Sequence, residues 1–194
     1  MNGSFFALIS RMRYIGRWGL MRNSLPENIQ EHSHMVAVIA HALAVIRRDV
    51  CGVPCDPERA AAIALFHDAS EILTGDLPTP IKYHAAELTA AYQEVERLAA
   101  QRLLQILPDE MRPAYEELFV PEDEELIRLV KAADKLSAYI KCIEERSAGN
   151  REFLSAERQT LEAILAMGLP EAQYFVDKFI PPFEMTLDEV GNLI

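Results

Sequence analysis

Residues 60–73 read AAAIALFHDASEIL. The stretch is apolar nearly all round at helical spacing, and it predicts a helix at the buried centre of a bundle. Upstream, Asp56-Pro57-Glu58 reads as an N-cap, a proline at the first helical position and an acidic first turn. Downstream, Thr74-Gly75 closes the helix, and TGDLPTP at 74–80 is a connector no helix can cross. Three ionisable residues interrupt this apolar run: His67, Asp68 and Glu71. On one continuous helix Glu71 falls four residues after His67 and three after Asp68, so the three side chains share one patch. A buried carboxylate without a partner is costly, and two are worse. A divalent cation would account for them, since imidazole and carboxylate are its natural ligands.

Outward from this segment the same 3.6-residue period recurs, with no period-2 strand. Helices are expected near 4–14, 28–49, 84–107, 109–119, 123–147, 151–167 and 171–179. Helix 28–49 carries Met35, Val36, Ile39, Leu43 and Ile46 on one side. Helix 123–147 aligns Leu126, Val130, Ala133, Ser137 and Ile140, and Gly149-Asn150 can stop it. Connectors are short and there are no repeats or low-complexity tracts. One all-α domain over residues 1–194, a helical bundle with its site between helices, is the expectation.

The 194 residues are half apolar, with only 8 glycines, which favours a packed helical chain. Lys+Arg 19 against Asp+Glu 30 leaves a net charge of −11. That balance excludes broad binding of nucleic acid or of an anionic membrane, because both need a basic field. A small anionic substrate stays open if a metal or a few Arg and Lys reverse the field locally. Three cysteines are an odd number, and Cys51 and Cys55 stand in a loop with no second pair to complete a zinc site, so they read as reduced thiols. The N-terminal arginines follow a five-residue apolar run, the wrong order for a signal peptide, and no apolar stretch is expected to approach the roughly 20 residues of a membrane span. A soluble cytoplasmic protein follows as the expectation.

Two further positions break the pattern of an ordinary bundle. Asp134, in LVKAADKLSAYIK, sits beside Ala133 on the core-facing stripe, where a lone Asp is unwelcome. Glu31-His32-Ser33-His34 puts an imidazole at the start of the second helix, with His34 about 200° round from His32. His32, His67, Asp68 and Asp134, from three helices, would make an N2O2 site with open positions for water and substrate.

The order H…HD…D resembles the HD-domain phosphohydrolase superfamily. More narrowly, GRWGLMRN, ENIQEHS, FHDASEILTGDLPTPIKY and KAADKLSAYIKC resemble the bacterial 5′-deoxynucleotidases of the YfbR type, and the similarity runs over nearly the whole chain. The resemblance implies an HD-type bundle that hydrolyses deoxyribonucleoside 5′-monophosphates to deoxyribonucleoside and phosphate. It implies one divalent metal ion (cobalt, manganese or copper), a homodimer, and substrate beside the ligands His32, Asp68 and Asp134. Other HD chemistry, on nucleoside triphosphates or alarmones, would need more cations than the single Lys82 near TGDLPTP. A degenerate nucleotide-binding regulator is the alternative from outside enzymology.

Under that resemblance Arg17, whose fork suits bidentate phosphate binding, orients the phosphate; otherwise it is a surface Arg over a hinge. Trp18 lies against the sugar, or else in the core. Glu71 is the candidate base for the attacking water, or a carboxylate that orients a ligand. Asp76 contacts the sugar or helps protonate the departing 5′-oxygen, or simply forms the turn. Leu77, Pro78 and Thr79 supply the loop wall. His34, His41 and His84 take no role.

Overall fold

Local capping chemistry starts the helices where the sequence places them. The computed structural model describes residues 3–78, 82 and 85–191. Helix α1 (Phe5–Ile9) tightens into a 3₁₀ segment at Ser10–Tyr14. Helix α2 (Ile29–Val45) opens on a capping box. Asn28 Oδ1 accepts from the backbone of Gln30 and Glu31 at 3.0 and 3.1 Å, and the Glu31 carboxylate accepts from the Asn28 N–H. Helix α3 (Pro57–Phe66) starts at Asp56, whose side chain accepts from Arg59 N–H at 2.9 Å. After it come α4 (Glu71–Thr74), α5 (Ala86–Gln105), α6 (Arg112–Phe119), α7 (Glu124–Ser147), α8 (Leu154–Ala166), α9 (Pro170–Phe179) and α10 (Leu187–Gly191). Among the described residues there is no strand, only an isolated antiparallel bridge between Gly16 and Asn28. The all-α expectation holds.

Three expectations need correction. First, the apolar run around the His-Asp pair is not one helix. It ends at Phe66, residues 67–70 form a tight turn, and Glu71 opens α4. Backbone bonds of the i→i+3 kind carry the turn, from His67 to Ala64, Ala69 to Phe66 and Glu71 to Asp68. Second, α3 is not the buried centre, since Leu65 is 44% exposed while α2 and α7 supply most of the core. Third, α2 runs on through a π turn to Val50, and Ile29–Val50 is 22 residues long and apolar enough for a membrane span. In this bundle 56% of its most apolar window is buried against neighbouring elements.

The main core lies where α2 crosses α3 and α7, with Val36, Ile39, Leu43, Ile63, Ala64, Leu129, Ala133, Leu136 and Ile140 packed together. A second cluster seats Phe5 on Leu103, Leu104 and Leu107. A third joins Met12, Ile29 and Ala69. This last one matters most for the site, because fully buried Ala69 pins the turn that follows α3 against the start of α2.

Opposite that turn, a buried ion pair ties the loop before α2 to α7. Lys141 and Glu145 are 4% and 0% exposed and bond one turn apart. The Glu145 carboxylate also accepts from Ser24 and Leu25 N–H and from Asn150 Nδ2, while Lys141 Nζ donates to the Leu25 carbonyl. These bonds outweigh the effect of burial and hold Glu145 at about 2. Glu145→Ala should therefore destabilise the protein by about 3 kcal/mol in urea unfolding, because it strands the Lys141 ammonium in the core. Lys141→Met combined with Glu145→Leu should cost clearly less than that single change. A single variant as stable as the parent would rule the clamp out.

Candidate functional site

The turn after α3 presents His67 and Asp68 to the N-terminal turn of α2, and α7 closes the third side. His32, fully buried on α2, stands with Nε2 3.0 Å from Asp134 Oδ1 and 3.6 Å from Asp68 Oδ2. Its Nδ1 lies 3.1 Å from Ser137 Oγ. A hydroxyl donates or accepts, so Ser137 serves either imidazole tautomer, including the one that leaves Nε2 bare.

His67 Nδ1 donates to the Ala64 carbonyl at 2.7 Å, which fixes its ring and turns Nε2 into the site. There Nε2 lies 3.1 Å from Asp68 Oδ2 but is not aligned for a hydrogen bond, so a buried nitrogen has no partner. One ligand atom each from His32, His67 and Asp68 lies within 4.8 Å of the others. Two imidazole nitrogens and a carboxylate with one nitrogen orphaned are a donor set that suits a divalent metal ion.

Asp134 differs from its expected placement. Its side chain is 41% exposed, at the rim of the core stripe and not on it, and its carboxylate is tied to His32. It borders the three-residue group. Burial opposes charge on Asp68, yet His67, His32 and Arg17 hold its carboxyl well below the usual carboxylate range. For His67 burial opposes protonation too, but Asp68 and Asp134 push it up to about 9.

Arg17 and Trp18 stand at the edge of this group. Arg17 Nη1 is 3.6 Å from Asp68 Oδ2. Burial opposes its charge, but Glu27, Asp134, Asp68 and Asp76 around it keep the guanidinium more firmly protonated than usual. Trp18 packs on Phe153 with ring centroids 5.3 Å apart, and at φ 60 it is the one non-glycine residue in the left-handed region among those described. Both side chains bond the Glu27 carboxylate, from Arg17 Nε at 3.1 Å and Trp18 Nε1 at 2.9 Å. Sequence reasoning missed Glu27 and the role of Ser137. Glu27 occurs in a stretch already quoted with nothing in local spacing to mark it, whereas the place of Ser137 on the core-facing stripe of its helix was a signal that a buried hydroxyl needs a partner.

A family model described as 5′-deoxynucleotidase YfbR-like matches residues 4–183. The chain belongs to that family. It is 47% identical over 192 residues to a 5′-deoxynucleotidase of Shewanella oneidensis, covering 97% of this chain and 98% of the relative. It is 46% identical over 191 residues to the 5′-deoxynucleotidase YfbR of Shigella boydii, covering 97% and 96%. Among solved structures, an HD-domain phosphohydrolase from Listeria innocua superposes with a TM-score of 0.81 at 24% identity, over 93% of this chain and 88% of that one. The cyanophage S-2L HD phosphohydrolase DatZ, bound to dA and one catalytic Zn²⁺ ion, gives a TM-score of 0.65 at 23% identity, over 90% and 95%. At those identities the likeness is one of fold, the HD bundle.

In this YfbR-like chain Glu71 is 6% exposed, and its Oε2 has no hydrogen-bond partner. Burial first, then Asp68 and Asp76, push it up to about 9. Gly75, at φ 73, turns the chain out of α4, and its carbonyl accepts from Tyr92 Oη at 3.1 Å. Asp76 follows, near enough to Arg17 and Asp68 to feel both charges, and burial raises its carboxyl above the usual value. Leu77 and Pro78 are half-buried beside it. Thr79 and His84 lie outside the described residues. His34 and His41 are exposed, in keeping with no role.

A folded-state value above the unfolded one means that the folded protein binds the proton more tightly, so stability falls as pH rises between the two. In chelator, Glu71 should make stability decline from about pH 4.5 towards 9, and His67 should add to the decline above about 6.5. Glu71→Gln should flatten the stretch between pH 4.5 and 6.5, where His67 contributes little. Thermal melts across that range check it, and an equal slope in the variant overturns the assignment.

Proposed function

We infer that this chain is a 5′-deoxynucleotidase, hydrolysing deoxyribonucleoside 5′-monophosphates to deoxyribonucleoside and phosphate. The observation that carries the reading is the guanidinium of Arg17 beside a converging group of two imidazoles and a carboxylate. This gives a local cationic anchor for a phosphate on a chain of net charge −11. The same charge balance favours a small-molecule substrate over nucleic acid or a membrane surface. The resemblance also supports a cytoplasmic homodimer, which sedimentation would read as twice the chain mass.

His32, His67 and Asp68 would hold one divalent ion, with Asp134 as the fourth ligand once it leaves the His32 proton. Bound there, the ion would lower the pKa of a water and offset charge on the phosphoryl oxygens. Cobalt, manganese and copper remain the candidates, because mixed nitrogen and oxygen donors do not choose among them. Arg17 holds a phosphate oxygen through its fork. Glu71 would take the proton of the attacking water in its ionised form, which a cation bound beside Asp68 would favour over the protonated form that burial imposes without one. Asp76, whose burial favours the protonated form, gives a proton to the departing 5′-oxygen. Leu77 and Pro78 wall the nucleoside.

Metal analysis tests the ligand set. Asp68→Asn and Asp134→Asn should each lose bound ion and nearly all phosphate release, while Glu71→Gln keeps the ion and slows turnover at least ~10²-fold. Full metal occupancy in both Asp variants would refute the ligands, and near-normal turnover in Glu71→Gln would refute the base.

Sugar preference tests the substrate. The Trp18 N–H is already donated to Glu27, so the indole offers a 2′-hydroxyl an apolar wall and no partner. Stripping water from that hydroxyl costs about 1–3 kcal/mol, roughly 5- to 150-fold in kcat/KM. Phosphate release should therefore favour dAMP over AMP, and Trp18→Ala should narrow the ratio. Equal kcat/KM for both sugars would remove the deoxy assignment.

A further inference from the structure

Arg17 and Trp18 are consecutive, so an extended chain would point their side chains apart. Here both are gathered onto one carboxylate oxygen. Glu27 Oε2 accepts from Arg17 Nε at 3.1 Å and from Trp18 Nε1 at 2.9 Å. The backbone that permits this is costly: Trp18 stands at φ 60, a region L side chains rarely adopt, and nothing else among the described non-glycine residues does so. A second device fixes where Glu27 sits. Arg17 N–H donates to the Glu27 carbonyl at 2.9 Å and Ile29 N–H to the Ile15 carbonyl at 3.0 Å, so residues 15–17 and 27–29 run as a short clasp. The next residue, Asn28, is the N-cap of α2, and His32 lies one turn further along that helix.

We propose that Glu27 is a positioning residue that sets the phosphate-binding fork of Arg17 and the sugar wall of Trp18 together, and so couples phosphate grip to sugar selectivity. The inference rests on the reading of Arg17 and Trp18 as substrate contacts. A carboxylate that occupies Arg17 Nε leaves the Nη edge of the guanidinium to turn into the site, where Nη1 is already 3.6 Å from Asp68. The same oxygen takes the only hydrogen-bond donor of the indole side chain. With that N–H engaged and one face on Phe153 at 5.3 Å, the ring is held in a single orientation. Glu27 is itself 15% exposed on its side chain, and its other oxygen, Oε1, lies 4.0 Å from His32 Nδ1.

Trp18 is the sole tryptophan of the chain, so its fluorescence reports on this contact without any substrate. Glu27→Ala should red-shift the emission and lower its anisotropy in the metal-free protein. It should also reduce kcat/KM for dAMP about 10-fold, mostly through KM, and narrow the dAMP to AMP ratio about 5-fold. Glu27→Gln keeps an oxygen acceptor in the same place, so it should hold the ratio within about 2-fold of the parent. Should Glu27→Ala not fold, Glu27→Asp, one methylene short of the indole, makes the same comparison. A folded variant with parental emission and an unchanged ratio overturns the proposal, as does Glu27→Gln losing the ratio as fully as Glu27→Ala. Arg17→Ala and Trp18→Ala run alongside separate the two readings. If neither alters dAMP or AMP kinetics, the substrate-contact reading fails; if both do and Glu27→Ala does not, the role of Glu27 alone fails.

Discussion

The structure depends on a concentration of acidic groups that its packing largely shelters from water. Asp68, Glu71 and Asp76 stand on or just after one turn, Asp134 faces them from α7, and Arg17, Lys82 and two imidazoles stand against them. The protein answers in two ways. It raises Glu71 above the usual carboxylate range by burying it with Oε2 unpaired, and holds Asp68 below that range with His67, His32 and Arg17 as neighbours. It also aims two imidazole nitrogens at the same point, which leaves a cation as the natural completion of the site.

The break after Phe66 is where that group is assembled. The turn that follows sets Asp68 Oδ2 3.1 Å from His67 Nε2 and 3.6 Å from His32 Nε2. Its rigidity comes from ordinary sources, the buried methyl of Ala69 against Met12 and Ile29 and the hydrogen bond from His67 to Ala64. The placement of His67 and Asp68 is therefore tied to the packing of this turn.

The loop between the 3₁₀ segment and α2 shows a different economy. Its apolar residues bury little, with Leu20 69% and Leu25 50% exposed, so it is held by charge: Glu145 and Lys141 grip Ser24 and Leu25, and Glu27 grips Arg17 and Trp18. Charged clamps of this kind are directional, which apolar burial is not. A guanidinium and an indole gathered onto one carboxylate depend on that direction.

The sequence by itself determined the helices, because apolar period and capping residues act over one or two turns. Asp56 with Pro57 and Gly149 after α7 start or stop their helices as read, and the second helix begins at the expected position, where Asn28 caps it. It also marked His67 and Asp68, since acids in an apolar run need a reason. Tertiary structure alone decided the break at His67, the rim position of Asp134 on its bond to His32, and the shared carboxylate of Glu27. It alone paired Glu145 with a loop 120 residues away. Those depend on which surfaces meet after the helices pack, and no pattern along the chain records a distance across it.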